Sequence, residues 1–132
     1  MMKGSCCCKS VCFEITEQPE MMGTCHCTRC RKSGASTFLL VKKEFIKIKK
    51  GYDFISTYHP EEGYKYRRNF CKKCGSALGE IISNEKMVPV PANTIDNELR
   101  LSNNFHEFVS EKPKWYEICD DAKQFLGHPT ED

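Results

Sequence analysis

Hydrophobic and polar residues alternate over many short stretches of this chain. The stretches are rich in β-branched and aromatic residues, and glycine, proline, asparagine and aspartate separate them. This pattern is typical of strands joined by turns. The predicted strands cover residues 11–15, 37–41, 44–49, 54–58, 64–70, 77–82 and 87–90. No long window has a 3.6-residue apolar period, and only a helical turn at 31–36 and a short element at 105–109 are added. The pattern therefore predicts an all-β protein.

The length and composition are those of one globular unit. The chain has 132 residues, of which 39% are hydrophobic and 29% are charged, so we expect a single domain over residues 1–132. The longest apolar run, residues 38–41, is far too short to span a bilayer. No apolar stretch near the N-terminus resembles a signal peptide, which favours a cytoplasmic protein without a membrane partner.

The charge distribution does not favour nucleic acid as a partner. There are 20 Lys and Arg residues against 18 Asp and Glu residues, which gives a net charge of +2. Basic residues do cluster at 42–50 and 65–73. In the first cluster, Phe45, Ile46 and Ile48 alternate with lysines, which favours a strand with one solvated face over a nucleic-acid surface.

Cysteine is the residue type that points to chemistry. The chain has ten cysteines, and seven of them fall into three motifs with the spacing of metal ligands rather than of a secreted disulfide framework. Residues i and i+2 of an extended chain face the same side, and a C-x-x-C turn followed by glycine directs two sulfurs inward. The first motif is Cys6-x-Cys8, the middle motif is Cys25-x-Cys27-x-x-Cys30, and the last motif is Cys71-x-x-Cys74 followed by Gly75.

The seven ligands can be divided in two ways. The first and last motifs together would form a closed tetrahedral zinc site, and the middle motif would hold a second zinc ion with one open position. Alternatively, Cys27 and Cys30 would combine with Cys71 and Cys74 in a zinc ribbon. The ribbon leaves the first motif and the start of the middle motif without a role, so the spacing favours the four-plus-three division.

An open three-thiolate site indicates a thiol substrate. Three thiolates give a zinc ion a formal charge of −1, which makes it a poor activator of water, and a sulfur-rich site is suited to a fourth thiolate. Binding would lower the pKa of that thiol. Arg29, Arg31 and Lys32 surround the last cysteine of the middle motif. They could meet the carboxylates of a peptide-like thiol such as glutathione.

Five segments in series carry a resemblance to a known family. They are GSCCC followed by VCF (4–13), CHCTRCRKSGA (25–35), FCKKCGSAL (70–78), ANTID (92–96) and HEFVSEKPKWYEICD (106–120). Together they resemble the glutathione-dependent formaldehyde-activating enzyme family, also called the GFA or CENP-V family. Lys9 is a departure, because the family usually has glycine at that position.

The resemblance implies a zinc-binding β-tent fold of twisted antiparallel sheets, which is shared with small zinc proteins that assist Rab GTPases. It also implies two zinc ions per chain. The implied structural ligands are Cys6, Cys8, Cys71 and Cys74, and the implied ligands of a catalytic, exchangeable zinc are Cys25, Cys27 and Cys30. His106 and Asp120 match positions that the family usually fills with the same residue types. Trp115 and Tyr116, in the same segment, are expected in the core.

The implied activity is that of a carbon–sulfur lyase that acts on adducts of glutathione, or a similar small thiol, with an aldehyde. S-hydroxymethylglutathione, the adduct of formaldehyde, is the family's founding example. The alternative is a non-catalytic binding module that is held together by zinc and docks a protein or a nucleic acid. A fourth ligand for the middle motif, such as His59 or His106, would favour that alternative. A third hypothesis is a redox or metal sensor in which the middle motif exchanges zinc for a disulfide.

Overall fold

Eleven short strands and one α-helix form the regular structure in a computed structural model that describes residues 1–130. Residues 131 and 132 of the predicted domain lie outside the described residues. The strands are β1 (Met2–Ser5), β2 (Cys12–Ile15), β3 (Met21–Cys25), β4 (Thr37–Lys42), β5 (Ile46–Lys50), β6 (Ile55–Tyr58), β7 (Arg68–Cys71), β8 (Ala77–Gly79), β9 (Met87–Pro91), β10 (Phe105–Glu107) and β11 (Lys123–Gln124). Helix α1 covers Thr28–Ser33, and single 3₁₀ turns cover Lys43–Phe45, Tyr52–Phe54, Ala92–Thr94 and Val109–Glu111. The predicted all-β class is confirmed.

The strands form three sheets. One has the order β1-β2-β5, the largest has the order β11-β10-β3-β4-β9, and the third has the order β6-β7-β8. The expected antiparallel pairing is present in all three sheets, and the largest sheet is mixed because it also contains parallel pairs. There β3 pairs antiparallel with β4 on one side and parallel with β10 on the other, and β10 is also parallel to β11. This parallel insertion brings the C-terminal part of the chain to the strand that carries Cys25.

The core consists of the inward-facing residues of strands along which buried and more exposed positions alternate. Along β2, Phe13 and Ile15 are buried while Glu14 between them is only half-buried. The same period of two appears in β4 and β9, as the strand geometry requires. Full burial of a large aliphatic or aromatic side chain contributes about 1.5–3 kcal/mol of hydrophobic free energy. The fully buried apolar side chains are Val11, Phe13, Ile15, Leu39, Val41, Leu78, Ile81, Val88 and Val90.

Each predicted strand overlaps an observed one, but several boundaries differ. The region 64–70 contains a strand only from Arg68 onward. The solvated face predicted from the lysines of 44–49 is present in β5, where Ile46 is buried and the lysines of the strand are exposed. The strands β1, β3 and β11 were not predicted. In β3, Gly23 interrupts the strand pattern because the ring of Phe105 packs against it, 2.4 Å from where a Cβ atom would stand.

The helical turn predicted at 31–36 begins earlier. Helix α1 starts at Thr28, inside the middle motif, because the sulfur of Cys27 caps it by accepting a hydrogen bond from the backbone N–H of Cys30. The expectation that Trp115 lies in the core is wrong, since its side chain is 80% exposed, and Tyr116 is 41% exposed. Within residues 1–130, no helix has the length and apolar character needed to cross a membrane.

Candidate metal centres

Four cysteine sulfurs from the first and last motifs lie together. They belong to Cys6, Cys8, Cys71 and Cys74, and all lie within 4.8 Å of one another. The Sγ atoms of Cys6 and Cys8 are 3.7 Å apart, and those of Cys8 and Cys71 are 3.9 Å apart. A tetrahedral zinc site with bonds of about 2.3 Å places its sulfurs about 3.8 Å apart. The donor set and its spacing therefore fit a closed metal site, and none of the ten cysteines forms a disulfide.

Two tight turns aim these sulfurs. The N–H of Lys9 donates to the carbonyl of Cys6 at 3.0 Å, and Lys9 has a φ of 63°, a left-handed conformation that suits the glycine commonly found there. In the last motif, Gly75 has a φ of 78° and its N–H donates to the carbonyl of Cys71 at 2.7 Å. The turn predicted to end at this glycine is confirmed. The four-sulfur cluster thus joins the segment after β1 to the hairpin of β7 and β8.

The thiols of the four-sulfur cluster differ in acidity. Burial raises the pKa of Cys6 to about 11. A hydrogen bond from the Ser76 hydroxyl lowers the pKa of Cys74 to about 5, and a hydrogen bond with Ser10 lowers the pKa of Cys8. Part of the cluster is therefore prepared as thiolate, the form that a metal ion binds.

The three sulfurs of the middle motif form a second, separate cluster. Cys25 ends β3, Cys27 caps α1 and Cys30 lies in α1, and their sulfurs are within 4.8 Å of one another. The structure thus has the four-plus-three grouping of sulfurs rather than the grouping of a zinc ribbon. Within the described residues, neither His59 nor His106 joins this three-sulfur cluster.

Negative charge in the three-sulfur cluster is concentrated on Cys30. A hydrogen bond with Cys25, another with Cys27 and the nearby guanidinium of Arg68 lower the pKa of Cys30 to about 5. The hydrogen bond with Cys30 and burial raise the pKa of Cys25, so the shared proton stays on Cys25. Nη2 of Arg68 lies 3.8 Å from Sγ of Cys30. Arg68 was not singled out from the sequence, because β7 brings it to Cys30 from far along the chain.

Two of the basic residues in the middle motif already have internal partners. Arg29 forms a salt bridge with Glu61 at 3.0 Å, and its guanidinium carbon lies 3.8 Å from the ring centroid of Tyr64. Arg31 donates from Nε to the carbonyl of His26 at 3.2 Å. Arg29 therefore ties α1 to the segment after β6, although it also lines a cavity, and Arg31 stabilises the turn of its own segment.

A basic cavity lies close to the three-sulfur cluster, although none of the three cysteines lines it. Its volume is about 400 Å³, and Lys32, Ser33, Arg68 and Phe70 are among its lining residues. Arg68 links the two places, because Nη1 donates to Ser33 Oγ at 3.2 Å while Nη2 faces the sulfur of Cys30. The volume lies within the range of small-molecule sites, which is about 300–1,000 Å³.

A pair of buried histidines lies behind the cluster. Nε2 of His26 is 2.8 Å from Nδ1 of His106, and Nε2 of His106 is 2.9 Å from a carboxylate oxygen of Asp120. Each histidine is only 3% exposed. Burial lowers the pKa of His26, with a further contribution from His106, so the ring of His26 is held in its neutral form.

Two further polar side chains near the sulfurs had no signal in the sequence. Glu107 is paired with Cys25 in the parallel register of β10 and β3, its carboxylate is hydrogen-bonded to that thiol, and burial raises its pKa. Tyr66 lies near the same cluster. Burial raises its pKa, and the negative charges of Glu107 and Cys30 contribute. Both positions depend on contacts between distant segments, which no local pattern of residues reports.

Fold and site together define a small all-β protein with two cysteine clusters suited to metal ions. Residues 1–111 match the family described as glutathione-dependent formaldehyde-activating enzyme, GFA. The chain therefore belongs to the GFA family, as its motifs predicted. Among solved structures, a crystal structure of a Rhodobacter sphaeroides protein is similar, with a TM-score of 0.61 and 21% identity over 75% of this chain and 92% of that one. That likeness confirms the fold. No curated protein matches the chain.

Proposed function

We propose that this protein is a zinc-dependent carbon–sulfur lyase that acts on adducts of glutathione, or a similar small thiol, with an aldehyde. S-hydroxymethylglutathione is the representative adduct. The observation that carries the proposal is the three-sulfur cluster with a basic cavity beside it, in a family that acts with glutathione. We assign a structural zinc ion to the four-sulfur cluster and an exchangeable one to Cys25, Cys27 and Cys30. When bound, the exchangeable ion supplies a soft site that stabilises the substrate sulfur as thiolate.

The residues around the cluster then have distinct roles. Arg68 stands between the sulfur of Cys30 and the cavity, so it holds an anionic thiol in place from the cavity side. Lys32 lines the same cavity and binds a carboxylate of the thiol.

The reaction needs no oxidant or reductant. In the cleavage direction the C–S bond of the hydroxymethyl adduct breaks, its electron pair goes to sulfur, and the hydroxyl loses its proton as the carbonyl forms. In the other direction the thiolate attacks the carbonyl carbon and the oxygen takes up a proton. The protein contributes by holding thiolate and carbonyl together and by stabilising charge on both. We place this activity in a reducing cytoplasm, because the clusters need free thiols. The whole chain acts as one domain.

A test combines metal counting with a rate measurement. The reduced protein is loaded with zinc, desalted and examined by elemental analysis, and the exchange between glutathione, formaldehyde and S-hydroxymethylglutathione is followed by exchange NMR. We expect two zinc ions per chain and exchange above the uncatalysed rate. Cys27→Ser should retain one zinc ion and lose the acceleration, whereas Cys119→Ser, an exposed cysteine outside both clusters, should behave like the parent. A parent with two zinc ions and only uncatalysed exchange would disprove the lyase activity for this thiol.

A further inference from the structure

A continuous chain of hydrogen bonds runs from the middle motif to a carboxylate of the C-terminal segment. It connects His26 to His106 at 2.8 Å and His106 to Asp120 at 2.9 and 3.1 Å. The N–H of Ala122 donates to Asp120 at 3.0 Å and fixes the carboxylate. The rings of His26 and His106 are also stacked, with centroids 5.0 Å apart. The proposed lyase reaction gives no role to this series of hydrogen bonds.

The carboxylate at the end of this series of hydrogen bonds orients the ring of His106. An ionised Asp120 can only accept, so Nε2 of His106 donates to it, and the side-chain amide of Asn103 lies 3.1 Å from the same nitrogen. On the other side of the ring, Nδ1 of His106 is hydrogen-bonded to Nε2 of His26 at 2.8 Å. Asp120 thus fixes the orientation of the His106 ring, and His106 in turn fixes the orientation of the His26 ring. This is the arrangement by which a carboxylate orients a histidine that acts elsewhere.

His26 is the one residue between two sulfurs of the cluster, and it is held on every side. Its backbone N–H donates to the carbonyl of Glu107 at 2.9 Å, and its own carbonyl accepts from Arg31 at 3.2 Å. Its ring lies against Tyr116, with centroids 5.5 Å apart, and bonds to His106. Because neighbouring residues of an extended segment point to opposite sides, fixing the side chain of His26 in the interior fixes the opposite direction for both flanking sulfurs.

We propose that His106 and Asp120 are positioning residues that act through His26 to hold Cys25 and Cys27 in the arrangement of a three-thiolate metal site. The inference rests on the metal site of the proposed function and not on its lyase chemistry. A three-sulfur site has fewer ligands than a closed one, so its affinity depends more strongly on how well the ligands are held before binding. Partners behind metal ligands typically change metal affinity by about 10- to 100-fold.

The test measures metal affinity at each cluster separately. Zinc dissociation constants are determined by competition with a chromophoric chelator for the parent, His106→Phe, Asp120→Ala and the double variant. Asp121→Asn is the matched control, because Asp121 is an exposed carboxylate next in sequence. Both single variants should bind zinc about 10- to 100-fold more weakly at the three-sulfur site. Their zinc affinity at the four-sulfur site should be unchanged. The double variant should bind zinc no more weakly than the weaker-binding single variant, because both changes interrupt the same series of hydrogen bonds.

A spectroscopic measurement separates positioning from general loosening of the fold. Co²⁺ at the three-sulfur site gives thiolate charge-transfer bands and ligand-field bands that report sulfur ligation and tetrahedral geometry. We expect these bands to weaken and shift in His106→Phe and Asp120→Ala and to stay unchanged in Asp121→Asn. Unchanged zinc affinity in both variants, or equal weakening at both clusters, would overturn the proposal while leaving the metal site standing. A parent that binds only one metal ion would overturn the proposed site and this inference together.

Discussion

Replacing Arg68 by methionine should make the thiol of Cys30 a weaker acid. The Nη2 atom of Arg68 lies 3.8 Å from Sγ of Cys30, and the guanidinium is half-buried where β7 begins. Methionine has a similar length and retains the packing of the side-chain stem, but it has neither charge nor donor. The substitution thus removes one hydrogen bond and one positive charge from the thiolate and leaves its two cysteine neighbours in place.

The expected size of the change is about one pKa unit. A hydrogen bond to a charged group contributes about 1.5–3 kcal/mol. The contact between Arg68 and Cys30 is long, and the hydrogen bonds from Cys25 and Cys27 also stabilise the thiolate, so the lower end of that range applies. One pKa unit corresponds to about 1.4 kcal/mol. The pKa of Cys30, about 5 in the parent, should therefore rise to about 6 in Arg68→Met.

The assay is alkylation of the three-sulfur site after its metal ion has been removed by a mild chelator. The rate of iodoacetamide labelling at Cys30 is followed against pH by peptide mass spectrometry. Because only the thiolate reacts, the rate should fall off below about pH 5 in the parent and below about pH 6 in Arg68→Met. Lys32→Met is the matched control, since Lys32 lines the same cavity. An unchanged midpoint in Arg68→Met, or an equal shift in Lys32→Met, would refute the reasoning.

Two further substitutions test the fold that supports the site. Cys71→Ser removes a buried ligand of the four-sulfur cluster, and structural zinc supplies about 10–16 kcal/mol of binding free energy, so cooperative thermal unfolding by circular dichroism should disappear. An unchanged melting curve, or the same loss in Cys119→Ser, would contradict this. Asn69→Ala removes the acceptor of the Ile82 N–H at a position that is 3% exposed and should lower the free energy of unfolding in urea by about 2 kcal/mol. Asn84→Ala, at an exposed position, should change it by less than about 0.5 kcal/mol.

The parts of the site that the sequence predicted are those with local causes. Spacing within Cys25-x-Cys27-x-x-Cys30 and within Cys71-x-x-Cys74 determines which way the sulfurs point, so the convergence of the sulfurs within each motif could be anticipated from a few neighbouring residues. The pairing of the first and last motifs was favoured only because it left no ligand unused. The structure brings those sulfurs together through the chain path of β7, which sequence spacing alone does not specify.

The parts that could not be predicted arise from contacts between distant segments. Arg68 belongs to the basic stretch 65–73, where no local pattern indicates a specific partner, yet β7 turns it toward Cys30. Glu107 reaches Cys25 only because β10 enters the largest sheet parallel to β3. The strand β3 itself was missed since Gly23, which interrupts its pattern, is needed to accommodate the ring of Phe105. A residue whose contact partner lies far away in the sequence cannot be recognised from the residues next to it.

The parallel pairing of β3 with β10 also has a consequence for the order in which the protein matures on the ribosome. His26 and His106 are 80 residues apart, so the middle motif emerges from the exit tunnel long before the strand that supports it has been made. Until then β3 can pair only with β4 of these two neighbours, and the edge of β3 that ends at Cys25, just before the other two thiols, is open. The nascent chain therefore passes through an interval in which these thiols are exposed to oxidants and to competing metal ions. Completion of the C-terminal segment ends that interval, which couples the chemical integrity of the site to the speed of translation.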